Sequence, residues 1–432
     1  MKPSVLGVLF LAVVTLAAEN AHALQPIELF LEAARKTNPD TREARANTDA
    51  ARAQSMVSVG RLLPGLSLRG TYSRNQYETA VSLGGSSQAV TITPYDQFDG
   101  VATITVPLIN LADYWRTDAA GLQTSSSKWQ EANTALQVES RAVQAYYQII
   151  ADLGLVAASE RALDVAKTSL ALAQARFQSG KTAAIDVDRA EAEVERQVQQ
   201  LAAARFQLEV DERSLRSLTG IAPDTGSTPA LQDDLHEEPP LDTFQTPKTA
   251  LPSVVAAMAA RRAQEQQALV QRLTLLPALA GSFAEKGTNA PGFTGHEWSW
   301  QAMLSLTWGF DLTSLGNIRA QDAQLSAATA REERARVAAL DSIHRAWNMV
   351  QTDIARSRSA RKQAQVSRRA ADLARDRYTE GAAAQLDLLQ AERDAFSADT
   401  NQIQADADLA NARAQLILAA GRSLVAKAEV TP

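Results

Sequence analysis

The sequence predicts a mainly helical chain with four amphipathic strands, arranged as two tandem helix-strand-strand-helix copies. Three observations predict it. First, the chain repeats itself. Residues 172–220 reappear as 373–421 at a shift of about 201, without a gap. Leu172, Arg176, Gly180, Asp186, Ala190, Leu208, Leu215 and Gly220 meet identical residues at Leu373, Arg377, Gly381, Asp387, Ala391, Leu409, Leu416 and Gly421. Pro39, Gln54, Leu62, Leu63, Pro64 and Leu66 return as Pro252, Gln267, Leu275, Leu276, Pro277 and Leu279 at a shift of about 213. Second, aromatics are sparse while Ala, Gln, Arg and Glu abound, a mix that favours long helices over a compact mixed core. Third, each copy holds two stretches that alternate apolar and polar residues, the period of a half-buried strand.

Met1 to Ala23 reads as a signal peptide: Lys2 gives the charged start, Val5 to Leu16 the apolar stretch and Ala21, His22 and Ala23 the small-x-small cleavage site. The alternative is an N-terminal anchor, for which the apolar stretch is short. The chain has no cysteine, which excludes disulfides, thiolate metal sites and a lipid-modified N-terminal cysteine. The formal net charge of −6 argues against a nucleic-acid partner. Nothing after Ala23 reaches the run of about 20 apolar residues that a membrane helix needs.

The first copy spans residues 24–220. Pro26 to Thr37 is expected as a short helix, interrupted at Asn38 and Pro39 and resumed to about Val59. A hairpin follows over about 62–109. Its first strand puts Leu66, Leu68 and Tyr72 on one face, and its second sets Ala102, Ile104, Val106 and Leu108 opposite Thr103 and Thr105. Asn75 to Gln97, rich in Gly, Ser and Gln, reads as a loop. From about Asp113 to Gln178 the chain is helical, with a flexing point expected at Gly154. Ile149, Val156, Leu163, Leu170 and Phe177 are spaced by seven, and so are Val187, Val194, Leu201, Leu208 and Leu215 after a turn at 179–181, a coiled-coil seam. Residues 221–252 form a proline-rich, acidic linker between the copies. The second copy, 253–421, runs helix (Ser253 to Leu273), strand (Leu276 to Phe283), loop (Ala284 to Glu297), strand (Trp298 to Phe310) and a long helix pair turning at 380–382, with its hairpin at about 275–311. Residues 422–432 are a tail. Trp300, Ala302, Leu304, Leu306, Trp308 and Phe310 share a face that, under the gapless alignment of the copies, is out of phase with Ile104 and Val106, so a one-residue bulge or slip is expected to separate the copies there.

Strands of about ten residues are long enough to cross a bilayer at a tilt, but four cannot close a barrel and lipid does not tolerate open edges. If they lie in a membrane, several chains must close one barrel, while the polar helices stand in water. On these elements, the Asn38-Pro39-Asp40 start, the Leu-Leu-Pro-x-Leu strand starts, the turns at Gly180 and Gly381 and the glycines at 220 and 421, the chain resembles the TolC-type outer-membrane efflux protein family. The resemblance implies a homotrimer: a 12-stranded outer-membrane β-barrel continuous with a long periplasmic α-helical barrel, with the 221–252 linker equatorial. It also implies a passive export channel, partnered by a periplasmic adaptor and an inner-membrane transporter. Whether the pump is proton-driven, ATP-driven or a protein secretion system is open, as is the cargo. The alternative is a soluble coiled-coil structural or adaptor protein without a barrel. An adaptor would have one helical hairpin flanked by β-domains, whereas this chain has two hairpin units.

No catalytic, cofactor or metal site is expected. His22, His236, His296 and His344 are scattered, and no phosphate-cradling or nucleophile motif occurs. What the resemblance implies is a gate. Asp186, Tyr378, Asp387 and Gln390 fall at the periplasmic constriction, where three symmetry-related Asp387 carboxylates would draw cations. The same aspartates also suit the start of a returning helix. The family's gating arginine is Ala383 here, and the second acidic ring position is Gln390. Arg176, Ser179, Gly180, Arg377, Glu380 and Gly381 form the turns expected to meet the adaptor. Tyr72, Trp298, Trp300 and Trp308 are expected at the membrane interfaces, against outer-membrane lipid.

Overall fold

A pair of helices about 100 Å long forms the frame on which everything else hangs. They are α3 (Leu111–Gln178) and α6 (Leu312–Thr379), each 68 residues and unbroken. The computed structural model describes residues 24–82, 89–226, 231, 233–245 and 251–425, so residues 1–23, expected as a signal peptide, and the end of the tail lie outside the described residues. Both struts start on a side-chain cap: Asn110 accepts from the Asp113 amide at 3.1 Å, and Asp311 accepts from the Ser314 amide at 2.8 Å.

The remaining helices are α1 (Ile27–Thr37), α2 (Pro39–Gly60), α4 (Ala184–Thr219), α5 (Pro252–Leu273) and α7 (Gln385–Ala419). The strands are β1 (Gly65–Arg74), β2 (Thr79–Ser82), β3 (Ala89–Thr93), β4 (Asp96–Ile109), β5 (Ala278–Thr288) and β6 (Trp298–Thr307). Asn38 explains the break between α1 and α2: its side chain accepts from the Asp40 amide at 2.9 Å, and Pro39 takes the first helical position, where no amide is needed. Gly154, expected to flex, instead lies inside the continuous α3. A Cβ there would come within 2.8 Å of Ile403 on α7, so this glycine lets the two helices approach closely.

The molecule is one sheet wide from end to end. The main sheet runs β1-β4-β5-β6, all antiparallel. Below it the helices pack in the order α2-α3-α5-α6, and below those in the order α4-α3-α7-α6. Each layer therefore has one edge on the β1, α2 and α4 side and one on the β6 and α6 side. The buried core lies at mid-height. Phe30, Tyr146, Ile149 and Leu215 form one cluster, Leu31, Val138 and Val143 with Leu418 a second, and Ile343, Val350, Leu409 and Leu416 with Phe244 of the linker a third. Ile149 and Val350, and likewise Leu215 and Leu416, are repeat-related, so both copies build their core at the same height.

Further expectations need correction. The stretch 75–97 is not all loop: β2 and β3 form a small separate hairpin, and β4 begins at Asp96. The expected loop from Ala284 is strand as far as Thr288, because its backbone pairs with β4 and β6. Strand β6 ends at Thr307, short of Phe310. The expected one-residue slip is present and sits in the first copy, where the register jumps between Pro107 and Ile109, leaving Leu108 as the extra residue in β4. Phe177 also departs from the buried seam its spacing suggested, being 48 % exposed.

Candidate functional site

The upper end of the molecule presents a sheet with one mainly apolar and one mainly polar face. Leu66, Ile104, Phe283 and Ala302 pair across the four strands, and so do Leu68, Ala102, Glu285 and Trp300, so these rows share a face. The opposite face carries Ser67, Thr103, Ala284 and Gln301. Gly70, Gly100 and Gly287 make a row without side chains that ends on Trp298, whose indole lies about 3 Å from where a Gly287 Cβ would sit. Trp298, Trp300, Trp308 and Tyr72 are each more than half exposed. Trp308 donates to the Leu275 carbonyl at 3.0 Å, and Tyr72 donates to Asp96 at 2.8 Å. One apolar face rimmed with indoles and phenols, beside one polar face, is the pattern of a strand set with lipid on one side and water on the other. No described helix is long and apolar enough to cross a membrane.

The lower end holds the two hairpin turns. Gly180 and Gly381 take φ of 70° and 82°, which is why glycine stands at each tight reversal. Ser179 caps the first turn by donating to the Arg176 carbonyl at 2.9 Å, while Glu380 is exposed in the second. The two acidic positions behave differently. Asp186 accepts from Thr182 and pairs with Arg189 at 3.5 Å. Asp387 is exposed and accepts from the Ala384 amide at 3.3 Å, closing the start of its own helix. Gln390, also exposed, donates to Asp394 at 2.9 Å.

Tyr378 is 2 % exposed and lies under the Arg176 guanidinium, 4.6 Å from the ring centroid. Arg176 also donates to the Tyr378 carbonyl. Burial raises the Tyr378 pKa, with Arg176 opposing the shift and Asp186 adding to it. Arg176 and Arg377 are repeat-related, yet only Arg176 is turned onto the other hairpin. The side chain of Arg377 is exposed.

The polar ties between the hairpins were not legible in the sequence. Glu193 of α4 is buried and accepts from Arg196, Gln197 and, at 2.8 Å, Arg393 of α7. Burial alone would push its carboxyl up, but those three donors outweigh it and hold its pKa below the usual range. Ser169 of α3 donates to Glu392 of α7 at 2.9 Å. Burial pushes Glu392 up, against Ser169 and Arg375. The ties between hairpins join residues 200 and 223 positions apart, so no local spacing announces them. Asp233, Asp234 and His236 come within one cation's reach of each other, but Arg413 already pairs with Asp233 at 2.8 Å and reaches His236.

The comparisons agree with this architecture. The protein-family model for outer membrane efflux proteins matches residues 30–221 and 249–422. The outer membrane protein OprJ of Pseudomonas aeruginosa is 27 % identical over 380 residues, covering 83 % of this chain and 76 % of that one. The Campylobacter jejuni CmeC outer membrane channel superposes with a TM-score of 0.80 at 19 % identity, over 92 % of this chain and 86 % of that one. The open state of the Neisseria gonorrhoeae MtrE outer membrane channel gives 0.77 at 20 %, over 93 % and 90 %. With a two-faced sheet, two repeat-related helical hairpins below it and a family match over most of its length, the chain belongs to the outer membrane efflux protein family.

Proposed function

We propose that three copies of this chain close a 12-stranded barrel in the outer membrane, continuous with a helical barrel in the periplasm. The tube passively carries substrates handed on by a periplasmic adaptor and an inner-membrane pump. The observation that carries this reading is the common order of the layers. Among the described residues, strands β1 and β6 are both unpaired edges, on opposite sides of the sheet, and the helices below them end the same way. A head-to-tail contact of one edge on the other, repeated around an axis, closes a ring and removes every edge that lipid would leave unsatisfied.

In this reading Tyr72, Trp298, Trp300 and Trp308 anchor the barrel at the membrane interfaces. The turns with Arg176, Ser179, Gly180, Arg377, Glu380 and Gly381 face the adaptor. Asp186, Tyr378, Asp387 and Gln390 stand at the periplasmic mouth, where exposed Asp387 carboxylates from three chains attract cations.

Membrane fractionation with an amine-reactive cross-linker, followed by planar-bilayer recording, tests this. The expected result is a trimer in the outer-membrane fraction that conducts, with Asp387→Ala less cation-selective. A soluble monomer overturns the channel reading. Unchanged selectivity in a conducting trimer overturns the role of Asp387 alone.

A further inference from the structure

The repeat lets one observed seam specify one that a single chain cannot contain. Within the chain, α3 of the first copy packs on α7 of the second. Near the tips three ties join the two hairpins: Arg176 of α3 over the Tyr378 ring of α6, Ser169 of α3 on Glu392 of α7 and Glu193 of α4 on Arg393 of α7. Shifting each residue by 201 positions carries α3 onto α6 and α7 onto α4. Those are the helices left at the two free edges. Arg176 becomes Arg377 and Tyr378 becomes Phe177, so the stacked pair has a counterpart. Ser169 and Glu392 become Ala370 and Glu191, and Glu193 and Arg393 become Asp394 and Ala192, so the other two ties do not.

We propose that the second hairpin of one copy docks on the first hairpin of the next, α6 against α4, with Arg377 of α6 over Phe177 at the end of α3, and that this seam between copies is the weaker of the two and parts first when the mouth opens. This rests on the three-copy reading. Phe177 and Arg377 are both exposed in the single chain. Their repeat partners Tyr378 and Arg176 are buried and half-buried, so the exposed pair has the chemistry of a contact without its other half. Charge supports the same pairing. Helix α6 carries thirteen Arg and Lys against seven Asp and Glu, while α4 carries five against eight. A basic edge beside an acidic one favours head-to-tail docking and disfavours α6 on α6.

The chain has no cysteine, so engineered pairs report cleanly. In the full-length protein in membranes, Glu191→Cys with Ala370→Cys and a short thiol-specific cross-linker should give dimers and trimers on a denaturing gel. Ser169→Cys with Glu392→Cys should cross-link only within one chain. A trimer caught by an amine-reactive reagent, with the first pair still monomeric, overturns the docking but not the three-copy reading. Failure to catch any trimer overturns both. In bilayers, cross-linking the first pair should suppress opening more than cross-linking the second, and equal suppression overturns the order of parting. Phe177→Ala and Arg377→Ala should each raise the open fraction of the resting channel about two- to fivefold. The double variant should do no more than either alone, and an additive effect overturns the contact.

Discussion

The two helical hairpins share a backbone and differ in how they are tied. In the second, Arg361 meets Asp406 at 2.9 Å, Arg368 meets Asp399 at 2.7 Å and Arg375 meets Glu392 at 3.3 Å. These rungs fall every seven residues on both helices. At the equivalent places in the first hairpin, Glu160 meets Arg205 at 2.7 Å with the charges reversed, and the other two rungs are Lys167 with Val198 and Gln174 with Glu191. The second hairpin is zipped to itself. The first instead sends Arg176, Ser169 and Glu193 across to its neighbour. Duplication kept the spacing that fixes where helices touch and left the charges free to diverge, because either sign order satisfies a rung.

The sharpest test compares the reversed rungs. Asp406 has a side chain only 8 % exposed and also binds Ser357, so Arg361→Ala leaves a buried carboxylate without its cation. A loss of roughly 3–5 kcal/mol is expected. Glu160 and Arg205 are both at least half exposed, and Arg205→Ala should cost about 0–1 kcal/mol. Denaturant melts of the purified protein in detergent would check this, and equal losses would break the comparison. Arg361→Glu combined with Asp406→Arg copies the first hairpin's order and should recover most of the loss.

The ends of the copies give a second contrast. Gly220 and Gly421 both hold φ of 76°. A Cβ at Gly220 would meet only Thr37 Oγ1 at 3.5 Å, whereas one at Gly421 would lie 2.9 Å from Leu251 Cδ2. Gly220→Ala should cost roughly 1–2 kcal/mol from the left-handed backbone alone. Gly421→Ala should cost roughly 2–4 kcal/mol, because overlap with Leu251 adds to it. Thermal melts of the two variants should rank them in that order, and Gly220→Ala melting lower would contradict it.

The frame was legible because it is written in periods. Sevens marked the long helices, alternation marked the strands, and the 201-residue shift paired the copies. The phase mismatch even announced the bulge, though only pairing placed it at Leu108. The extent of β5 was hidden because Glu285 and Lys286 look like loop residues, yet β4 and β6 supply partners for their backbone. Of the gate candidates, Tyr378 carries a visible signal, an aromatic beside a turn glycine. Its partner Arg176 reads the same as Arg377 until a fold puts one of them against the second hairpin. Ser169, Glu193 and Arg393 had no signal at all, since a polar residue on a helix looks solvated until another helix covers it.

The subtlest difference is a pair of repeat-related buried acids. Asp152 and Asp353 are 3 % and 1 % exposed. Asp353 has Arg356 at 3.0 Å, but Leu155 stands at that place in the first copy. Desolvation, with the Asp211 carboxyl beside it, pushes Asp152 up to about 7, against one hydrogen bond from Gln148. Asp353 is also raised by desolvation, with Arg356 opposing. A carboxyl whose folded pKa lies above its unfolded value holds an extra proton when folded. Its contribution is therefore complete in acid and is lost as pH rises through about 7. The apparent melting temperature should fall between about pH 5 and pH 8. Asp152→Asn, which keeps the neutral form, should flatten that fall and raise the melting temperature at pH 8, and Asp353→Asn should change the slope less because Arg356 already supports the charge. Identical pH profiles for wild type and Asp152→Asn would show that the unpaired carboxyl is solvated in the assembled protein, and the contrast between the two acids would then vanish.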